Sequence, residues 1–212
     1  MELPLDSCTG CYTCVNICPR NCIIIKIGNQ GFDIPQIDLQ RCVDCGMCMK
    51  RCPVLHIPEI NTKTMGYAVK SKDELERRRS TSGGVFSLLA KYVIDEGGIV
   101  YGAAYASDFS AHHIAITEQQ EISLLQGAKY TQSVIGICFS KIKEQLCSGY
   151  LVLFSGTPCQ CAGLKSFLGK EYDNLITVDI ICHGVPSPKV WQAYIDYRSN
   201  KENNGIRPQK IN

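Results

Sequence analysis

The sequence has no excess of one charge and no long hydrophobic run. Lysine and arginine number 22 and aspartate and glutamate 20, so the formal net charge at pH 7 is +2. With charges this evenly balanced, the protein has no strong positive electrostatic field to attract a phosphate backbone or an anionic membrane surface. We therefore expect no nucleic-acid partner. Apolar runs such as residues 150–154 are far shorter than the roughly 20 residues that span a bilayer. We therefore expect no membrane span.

A secretory signal is also missing from the start of the sequence. Residues 1–6 have neither the basic region nor the apolar region that export signals carry. We therefore expect a cytoplasmic protein. Of the 212 residues, 45% are hydrophobic, which excludes a disordered or collagen-like chain and suits one medium domain together with a small one.

Cysteine is the residue present in excess. There are 14 cysteines, and nine of them lie between Cys8 and Cys52. In a reducing compartment, cysteines crowded in this way bind metal more often than they pair as disulfides. Their spacing indicates which metal chemistry they serve.

One cysteine motif occurs twice in this stretch. Three cysteines follow one another at every third position, and a fourth, followed by proline, comes four residues later. Three thiolates at this spacing can wrap around three corners of a cubane, while the fourth reaches the other cluster. We therefore predict two 4Fe-4S clusters. The first is assigned to Cys8, Cys11, Cys14 and Cys52, and the second to Cys42, Cys45, Cys48 and Cys18.

The main alternative for these cysteines is structural zinc. Zinc modules usually place two Cys-x-x-Cys pairs far apart, so the duplicated triple favours cubanes. Cys22 has no counterpart in the second motif and is expected to be a spare buried thiol, and we assign no role to Cys138 and Cys147. Between the motifs, residues 23–27 and 32–37 predict a hairpin around a Gly-Asn-Gln-Gly turn.

The remaining residues predict a second domain of alternating strands and helices. We expect a dicluster ferredoxin module of the bacterial type at residues 1–55, a linker at 56–65 and an α/β domain at 66–212, which makes the fold class α+β overall. The predicted strands are residues 66–70, 99–105, 113–117, 151–154 and 175–182. One predicted helix runs from Val85 until Gly97 and Gly98 end it, and the others cover residues 137–146, 158–168 and 188–197. Residues 73–79 are expected to be a charged surface segment.

Three junctions between predicted strands and helices carry small or polar residues. Residues 80–84 open the helix at Val85 with main-chain N–H groups that suit a phosphate or simply an N-cap. Residues 155–161 and 181–186 belong to the junctions after two successive strands, so both should face one crevice at the carboxyl ends of the sheet. The residues that could meet there are Cys159, Cys161, Cys182 and His183. Each of these cysteines is either functional or simply a small buried residue.

Four motifs, taken in order, resemble the beta subunit of coenzyme factor-420 (deazaflavin) hydrogenases and dehydrogenases. They are Ser-Thr-Ser-Gly-Gly-Val-Phe at residues 80–86, Gly-Ala-Lys-Tyr-Thr-Gln-Ser at 127–133, Gly-Thr-Pro-Cys-Gln at 156–160 and Cys-His-Gly at 182–184. Hydroxymethyl-chlorophyll reductase of plants is similar in the same segments. The resemblance covers nearly the whole chain, with the dicluster module fused in front.

The resemblance implies that the α/β domain binds FAD. Mapped by motif, Ser82, Gly83 and Gly84 would cradle the FAD phosphates or the ring edge, while Lys129, Tyr130 and Ser133 would line the flavin pocket. Lys129 could stabilise negative charge on the reduced flavin. Cys159 and Cys182 match the family's further cluster, so they are candidates for a third 4Fe-4S cluster or for redox thiols. Homologues usually continue past residue 212, and we expect the C-terminal part of the family's domain to be missing here.

The function implied is that of an iron-sulfur flavoprotein oxidoreductase. It would couple one-electron transfer through two 4Fe-4S clusters to hydride chemistry at FAD, with a redox partner protein and a small-molecule hydride donor or acceptor. Enzyme activity is expected of the full-length protein. The alternative function is that of a non-catalytic, ferredoxin-like electron-transfer subunit docking to a larger redox enzyme. A zinc-binding interaction protein is the third interpretation.

Overall fold

The N-terminal part is a hairpin with a short helix in each cysteine motif. The computed structural model describes residues 3–57, 64–202 and 205–207. The helices of this part are α1 (Thr13–Ile17) and α2 (Met47–Lys50), and the hairpin strands are β1 (Ile23–Ile27) and β2 (Asp33–Ile37). The register pairs Ile23 with Ile37 and Ile27 with Asp33. The predicted hairpin is confirmed, with its second strand one residue shorter than expected.

A five-stranded mixed sheet forms the centre of the remaining chain. Its strands are β3 (Ile99–Tyr105), β4 (Ala111–Ile116), β5 (Ser133–Val134), β6 (Val152–Gly156) and β7 (Leu175–Asp179), in the order β5-β4-β3-β6-β7. Strands β3 and β4 are antiparallel and the other neighbours are parallel. The loops that follow β3, β6 and β7 and the loop that enters β5 therefore lie at the same edge of the sheet.

Helices cover both faces of this sheet. They are α3 (Glu74–Arg79), α4 (Val85–Asp95), α5 (Ile122–Leu125), α6 (Cys138–Cys147), α7 (Pro158–Leu168) and α8 (Pro188–Glu202), with 3-10 turns at Leu5–Ser7 and Gln119–Glu121. Val152 and Phe154 pack with α6 and α7, whereas Leu153 packs with α4 and α5. Since successive residues of a strand face opposite sides, these are two cores on the two faces. None of the described helices is long and apolar enough to cross a membrane.

The N-terminal part packs into the core formed by α6 and α7. Tyr12 is 4% exposed and belongs to that core. Thr13 Oγ1 donates to the carbonyl oxygen of Gly163 in α7 over 2.9 Å. Asn16 Nδ2 donates to the carbonyl oxygen of Gly136 over 2.8 Å. The cysteine motifs and the five-stranded sheet therefore share one hydrophobic core, and the α+β class is confirmed.

Several predicted elements differ from the structure. The strand predicted at residues 66–70 is wrong, because this segment is exposed and no described strand pairs with it. Strand β7 ends at Asp179, three residues early, and the charged segment at 73–79 contains helix α3. Strand β5 and helix α5 are too short to show a period and were not predicted. Part of the predicted linker, residues 58–63, lies outside the described residues.

Gly163 marks the closest approach between α7 and the first cysteine motif. A Cβ at this position would lie 2.7 Å from Thr13 Oγ1 and 3.0 Å from Cys11 Cβ. Glycine in a helix interior costs roughly 1 kcal/mol relative to alanine. The close approach explains why the helix carries it here.

Replacing Gly163 by alanine should destabilise the protein by about 1–3 kcal/mol, because the added methyl group overpacks the contact. The measurement is thermal unfolding followed by circular dichroism, with a lower Tm expected. Gly66→Ala is the matched control, since nothing lies within 4 Å of a Cβ there, and its Tm should equal that of the wild type. A Gly163→Ala variant as stable as the Gly66→Ala variant would show that the contact is not tight.

Candidate functional site

The two cysteine motifs repeat the same backbone conformation. Gly10 and Asp44, two residues after the first cysteine of each motif, have φ values of 65° and 52°. Tyr12 and Gly46, which follow the second cysteine, have φ values of 64° and 71°. Left-handed residues at the same two places turn each loop in the same way. The sequence repeat is therefore also a repeat in structure.

The thiols assigned to the first cluster lie together although they come from both motifs. Burial, together with the nearby thiols of Cys11 and Cys52, raises the pKa of Cys8. Burial, with Cys11 and Cys8, raises the pKa of Cys14 to about 12. Cys52, at the end of the second motif, thus lies beside cysteines of the first motif. The exchange of fourth ligands between two cubanes needs this arrangement.

The thiols assigned to the second cluster line one small cavity. Its lining includes Cys18, Cys42, Cys45 and Cys48, together with Cys22. Cys22 Sγ lies 3.3 Å from Cys18 Sγ, and Cys22 is 3% exposed, which agrees with the expected buried thiol. Cys45 is exposed, so the loop of the second motif reaches the surface.

The thiols within each group are neighbours that do not converge on one point. Among residues 3–57, 64–202 and 205–207, no three histidine, cysteine or carboxylate side chains could share a single metal ion. A zinc site binds four ligands to one ion at about 2.0–2.3 Å. In a 4Fe-4S cluster each thiolate binds a different iron, so the thiols stay apart. The donor set fits the two cubanes.

The variant Cys18→Ser should damage the cluster whose other ligands are Cys42, Cys45 and Cys48. Because Cys22 Sγ lies only 3.3 Å from Cys18 Sγ, it offers a replacement thiolate, and the decisive protein is the double variant Cys18→Ser, Cys22→Ser. We expect it to hold about four irons after reconstitution, against about eight in the wild type. The measurement is iron and acid-labile sulfide per chain.

Two further proteins complete this experiment. Cys22→Ser alone should keep its full iron content, since this thiol is not assigned as a ligand. Cys11→Ser should lose the first cluster, and its EPR spectrum in the reduced state should differ from that of the double variant. Identical spectra would contradict the exchange of fourth ligands.

A large cavity lies between the N-terminal part and the edge of the sheet where its loops gather. Its volume is about 1310 Å³. The lining residues fall mainly within segments 5–10, 28–34, 80–87, 125–133, 155–160 and 178–185. Small-molecule pockets typically have about 300–1,000 Å³. This cavity therefore has room for a dinucleotide and a second small molecule.

Most of the residues predicted for the flavin site and for the crevice at the sheet edge line this cavity. They are Ser82, Gly84, Lys129, Tyr130, Ser133, Cys159, Cys182 and His183. Gly83 is outside the lining, and a Cβ on it would lie 2.5 Å from the carbonyl oxygen of Val69. Cys161 does not line the cavity, and its 2% exposure within the core agrees with the second alternative, a small buried residue. Residues two apart on a helix, such as Cys159 and Cys161, do not share a face.

Two helices begin at the cavity, and they differ in how their first turns are capped. In α7, Thr157 and Gln160 form a capping box, in which Gln160 Oε1 accepts the N–H of Thr157 over 3.0 Å. Helix α4 begins after Gly84, which has a φ of 78° and provides no side-chain cap. The N–H groups of α4 and its positive helix end therefore suit an anionic group such as a phosphate.

Lys129 brings a positive charge to the cavity wall. Its Nζ donates to the carbonyl oxygens of Leu124 over 3.1 Å and of Gln126 over 2.8 Å. The ion pairs found within the described part of the chain do not include it. Burial lowers the pKa of Lys129 to about 8. The charge of this side chain therefore changes within the range where proteins function.

A chain of hydrogen bonds fixes the side chains of His113, Ser133 and Gln160, which we call the floor of the cavity. Burial lowers the pKa of His113 to about 4, so its ring is neutral at pH 7. The His113 Nε2 atom lies 3.1 Å from the carbonyl oxygen of Ser155. Because a carbonyl oxygen can only accept a hydrogen bond, Nε2 carries the ring proton and donates it. The other ring nitrogen, Nδ1, therefore accepts a hydrogen bond from Ser133 Oγ over 3.2 Å. Gln160 Nε2 donates to Ser133 Oγ over 2.9 Å. Ser133 is thereby held between β4 and α7.

Thr131 is a cavity residue that was not predicted. It is 4% exposed, it lines the cavity, and its hydroxyl oxygen has no hydrogen-bond partner within the described residues. Leaving a buried hydroxyl unpaired costs about 1–3 kcal/mol. A bound ligand can supply the missing partner. The only signal in the sequence was its place inside the motif at residues 127–133.

Comparison with known proteins first defines the class. Residues 7–55 match the family described as 4Fe-4S dicluster domain. A 7Fe ferredoxin from Hydrogenibacillus schlegelii is 34% identical over 64 residues, which are 29% of this chain and 76% of the ferredoxin. The N-terminal part is a ferredoxin-type dicluster domain, and the chain is an iron-sulfur electron-transfer protein.

The C-terminal residues match a second family. Residues 150–212 match the family described as the C terminus of the beta subunit of coenzyme F420 hydrogenase/dehydrogenase. The F subunit of the F(420)H(2) dehydrogenase of Methanosarcina mazei is 24% identical over 167 residues, which are 73% of this chain and 46% of that protein. Residues 150–212 belong to the family of coenzyme F420 hydrogenase/dehydrogenase beta subunits, and the resemblance drawn from the four motifs is confirmed.

Two further similarities were found. The NADH-quinone oxidoreductase subunit I 2 of Geobacter metallireducens is 38% identical over 52 residues, which are 22% of this chain and 40% of that protein. A chain in the structure of the F420-reducing [NiFe] hydrogenase complex from Methanosarcina barkeri has 20% identity and a TM-score of 0.48, covering 68% of this chain and 52% of its own. The chain spans less than half the length of the Geobacter and Methanosarcina mazei proteins.

Proposed function

We propose that this chain serves an iron-sulfur flavoprotein oxidoreductase, in which two 4Fe-4S clusters exchange single electrons with an FAD that carries out hydride chemistry. One observation carries the proposal: a single cavity is lined both by Cys8, a ligand assigned to the first cluster, and by Lys129 and Thr131. Clusters move one electron and a hydride carrier takes two, so a cofactor with a stable one-electron state has to lie between them.

Three features of the cavity wall fit a flavin dinucleotide. The uncapped start of α4, with Ser82 and Gly84 beside it, suits the pyrophosphate. The buried hydroxyl of Thr131 needs a hydrogen-bond partner. Lys129 offers a cation, with Tyr130 next to it on the cavity wall. Gly83 lies outside the cavity lining, where the loop at residues 80–84 packs so closely on Val69 that there is no space for a side chain.

The chain's own residues would hold the cofactor and set its electrostatics. When bound, FAD supplies the conversion between a hydride and two single electrons. Lys129 would supply a positive charge that offsets negative charge on the reduced ring. His113 stays neutral, so it positions Ser133 through a hydrogen bond without adding charge to the floor. The hairpin residues 28–34 line the cavity on the side of the clusters.

The proposed setting is a larger redox complex. By their names, the Methanosarcina mazei relative is a subunit of a dehydrogenase and the Geobacter relative is a subunit of an oxidoreductase. The hydride donor or acceptor would be a small molecule, for which the cavity leaves room beside a dinucleotide. The second candidate function is a non-catalytic electron-transfer subunit, which the exposed thiol of Cys45 favours because a partner could approach that cluster directly.

Cys159 and Cys182 stay candidates for a third cluster or for redox thiols. Both line the large cavity. Cys159 lies close enough to Cys8 to contribute, after burial, to the raised pKa of that thiol. A redox group at Cys159 would therefore be a direct neighbour of the first cluster.

The full chain purified without oxygen should contain about eight irons and one FAD. The measurements are metal analysis for iron and zinc, flavin content and an absorption spectrum. About four further irons would place a third cluster at Cys159 and Cys182. Iron with no flavin, even after FAD is added, would refute the flavoprotein and favour the electron-transfer subunit. Zinc in place of iron would refute both.

The affinity for FAD should fall as the pH rises through about 8, where Lys129 loses its proton. The pKa of this lysine is lowered, so its charge is present below that pH and lost above it. We expect a loss of about tenfold, equivalent to about 1.4 kcal/mol, because the negative phosphates of FAD lose an attractive charge in the cavity wall. The measurement is a fluorescence titration with FAD on both sides of pH 8.

Two variants separate Lys129 from other titrating groups. Lys129→Gln should bind FAD weakly at every pH, with the step near pH 8 removed. Lys141→Gln, at an exposed position outside the cavity lining, should bind like the wild type. A step that persists in Lys129→Gln would assign the titration to a different group.

A further inference from the structure

Gln132 contacts the first cysteine motif and the hairpin through its side chain. Its Oε1 accepts the main-chain N–H of Asp33 over 2.8 Å, and its Nε2 donates to the carbonyl oxygen of Asp33 over 3.4 Å. A side chain on Gly10 would collide with the Gln132 amide, so the loop that follows Cys8 packs directly on it. The N–H of Gly10 in turn lies 3.5 Å from Cys8 Sγ. One amide group is therefore in contact with the immediate surroundings of a cluster ligand.

The backbone of the same residue forms part of the cavity wall. Thr131 and Ser133, on either side of Gln132, are buried and line the cavity. The N–H of Gln132 donates to the carbonyl oxygen of Pro186 over 3.4 Å, which ties the segment to the loop after β7. Gln132 thus joins the wall of the cavity to the loop of the first cluster.

Asp33 is also fixed from the opposite side. The hydroxyl of Tyr12 donates to Asp33 Oδ2 over 2.8 Å. Tyr12 is buried in the core and stands next to Cys11. The bonds from Gln132 go to the main chain of Asp33, whereas the bond from Tyr12 goes to its side chain. Tyr12, Asp33 and Gln132 together make what we call the Gln132 clamp.

We propose that Gln132 is a positioning residue that fixes the spacing between the first 4Fe-4S cluster and the cofactor in the cavity. This inference rests on the proposed function. In this transfer each of the two reduced clusters would give up one electron, and FAD would take up both electrons together with one proton from water. If Gln132 is truncated, the loop at Gly10 and the wall at Thr131 lose their common contact, and the electron transfer between them slows.

The test uses the full chain with reconstituted clusters and bound FAD. The clusters are reduced by a light flash in the presence of a photoreductant, and the loss of flavin absorbance is followed. In Gln132→Ala, the transfer rate should fall about tenfold or more, with the contents of iron and FAD unchanged. Gln132→Glu keeps an oxygen that accepts the N–H of Asp33, and it should stay within about threefold of the wild type.

Gln119→Ala is the matched control. The Gln119 side chain also makes a hydrogen bond, to Asp95, but it lies outside the cavity lining. The electron-transfer rate of Gln119→Ala should therefore equal that of the wild type. An unchanged rate in Gln132→Ala would overturn the inference. Loss of iron from Gln132→Ala would overturn it too, because the side chain would then serve the cluster itself.

Amide hydrogen exchange tests the clamp without any flavin. In Gln132→Ala, exchange should become faster at Asp33 and, together with it, in residues 9–13 and 127–134. Faster exchange confined to Asp33 would show that Gln132 does not join the two parts. A wild-type protein that takes up no FAD would refute the proposed function, while the exchange result would still decide for or against the clamp.

Discussion

The burial of Tyr12 is the contact on which the rest of the structure depends. This residue stands between Cys11 and Cys14, and its ring lies in the core beside α6 and α7. Fully burying a large apolar side chain is worth roughly 1.5–3 kcal/mol, and the Tyr12 hydroxyl keeps a hydrogen bond to Asp33. The left-handed backbone at Tyr12 costs about 1–2 kcal/mol. The free energy gained by burial offsets this cost, so the cysteine loop packs against α6 and α7 together with the Tyr12 ring.

The same contact makes the two halves of the repeat unequal. Cys11 is buried against α7 and Cys8 lines the large cavity, whereas Cys45 is exposed. In the proposed function, electrons from a partner would meet the second cluster at the surface, and the first cluster would face the cofactor. The two copies therefore face different surroundings, because the first lies in the core and lines the cavity, whereas the second contacts α7 through Arg51 and leaves Cys45 exposed.

Structure could be predicted best from the sequence where neighbouring residues alone determine it. The cysteine spacing, the hairpin, strand β3 and helix α7 follow from patterns within a few residues of one another. The two-residue strand β5 has no pattern of its own and exists only through its pairing with β4. The unpaired hydroxyl of Thr131 and the side-chain contacts of Gln132 were beyond prediction, because they arise from segments about 100 residues apart that meet only in the folded chain.

The edge of an open α/β sheet leaves a crevice that is open on one side. Here the first cysteine motif and the hairpin turn add a wall on that side, since residues 8–10 and 28–34 belong to the cavity lining. The neutral His113 and the capped start of α7 leave Lys129 and the start of α4 as the positive elements of that wall. The dicluster domain is therefore more than a carrier of electrons, because the cavity that would receive them has no complete wall without it.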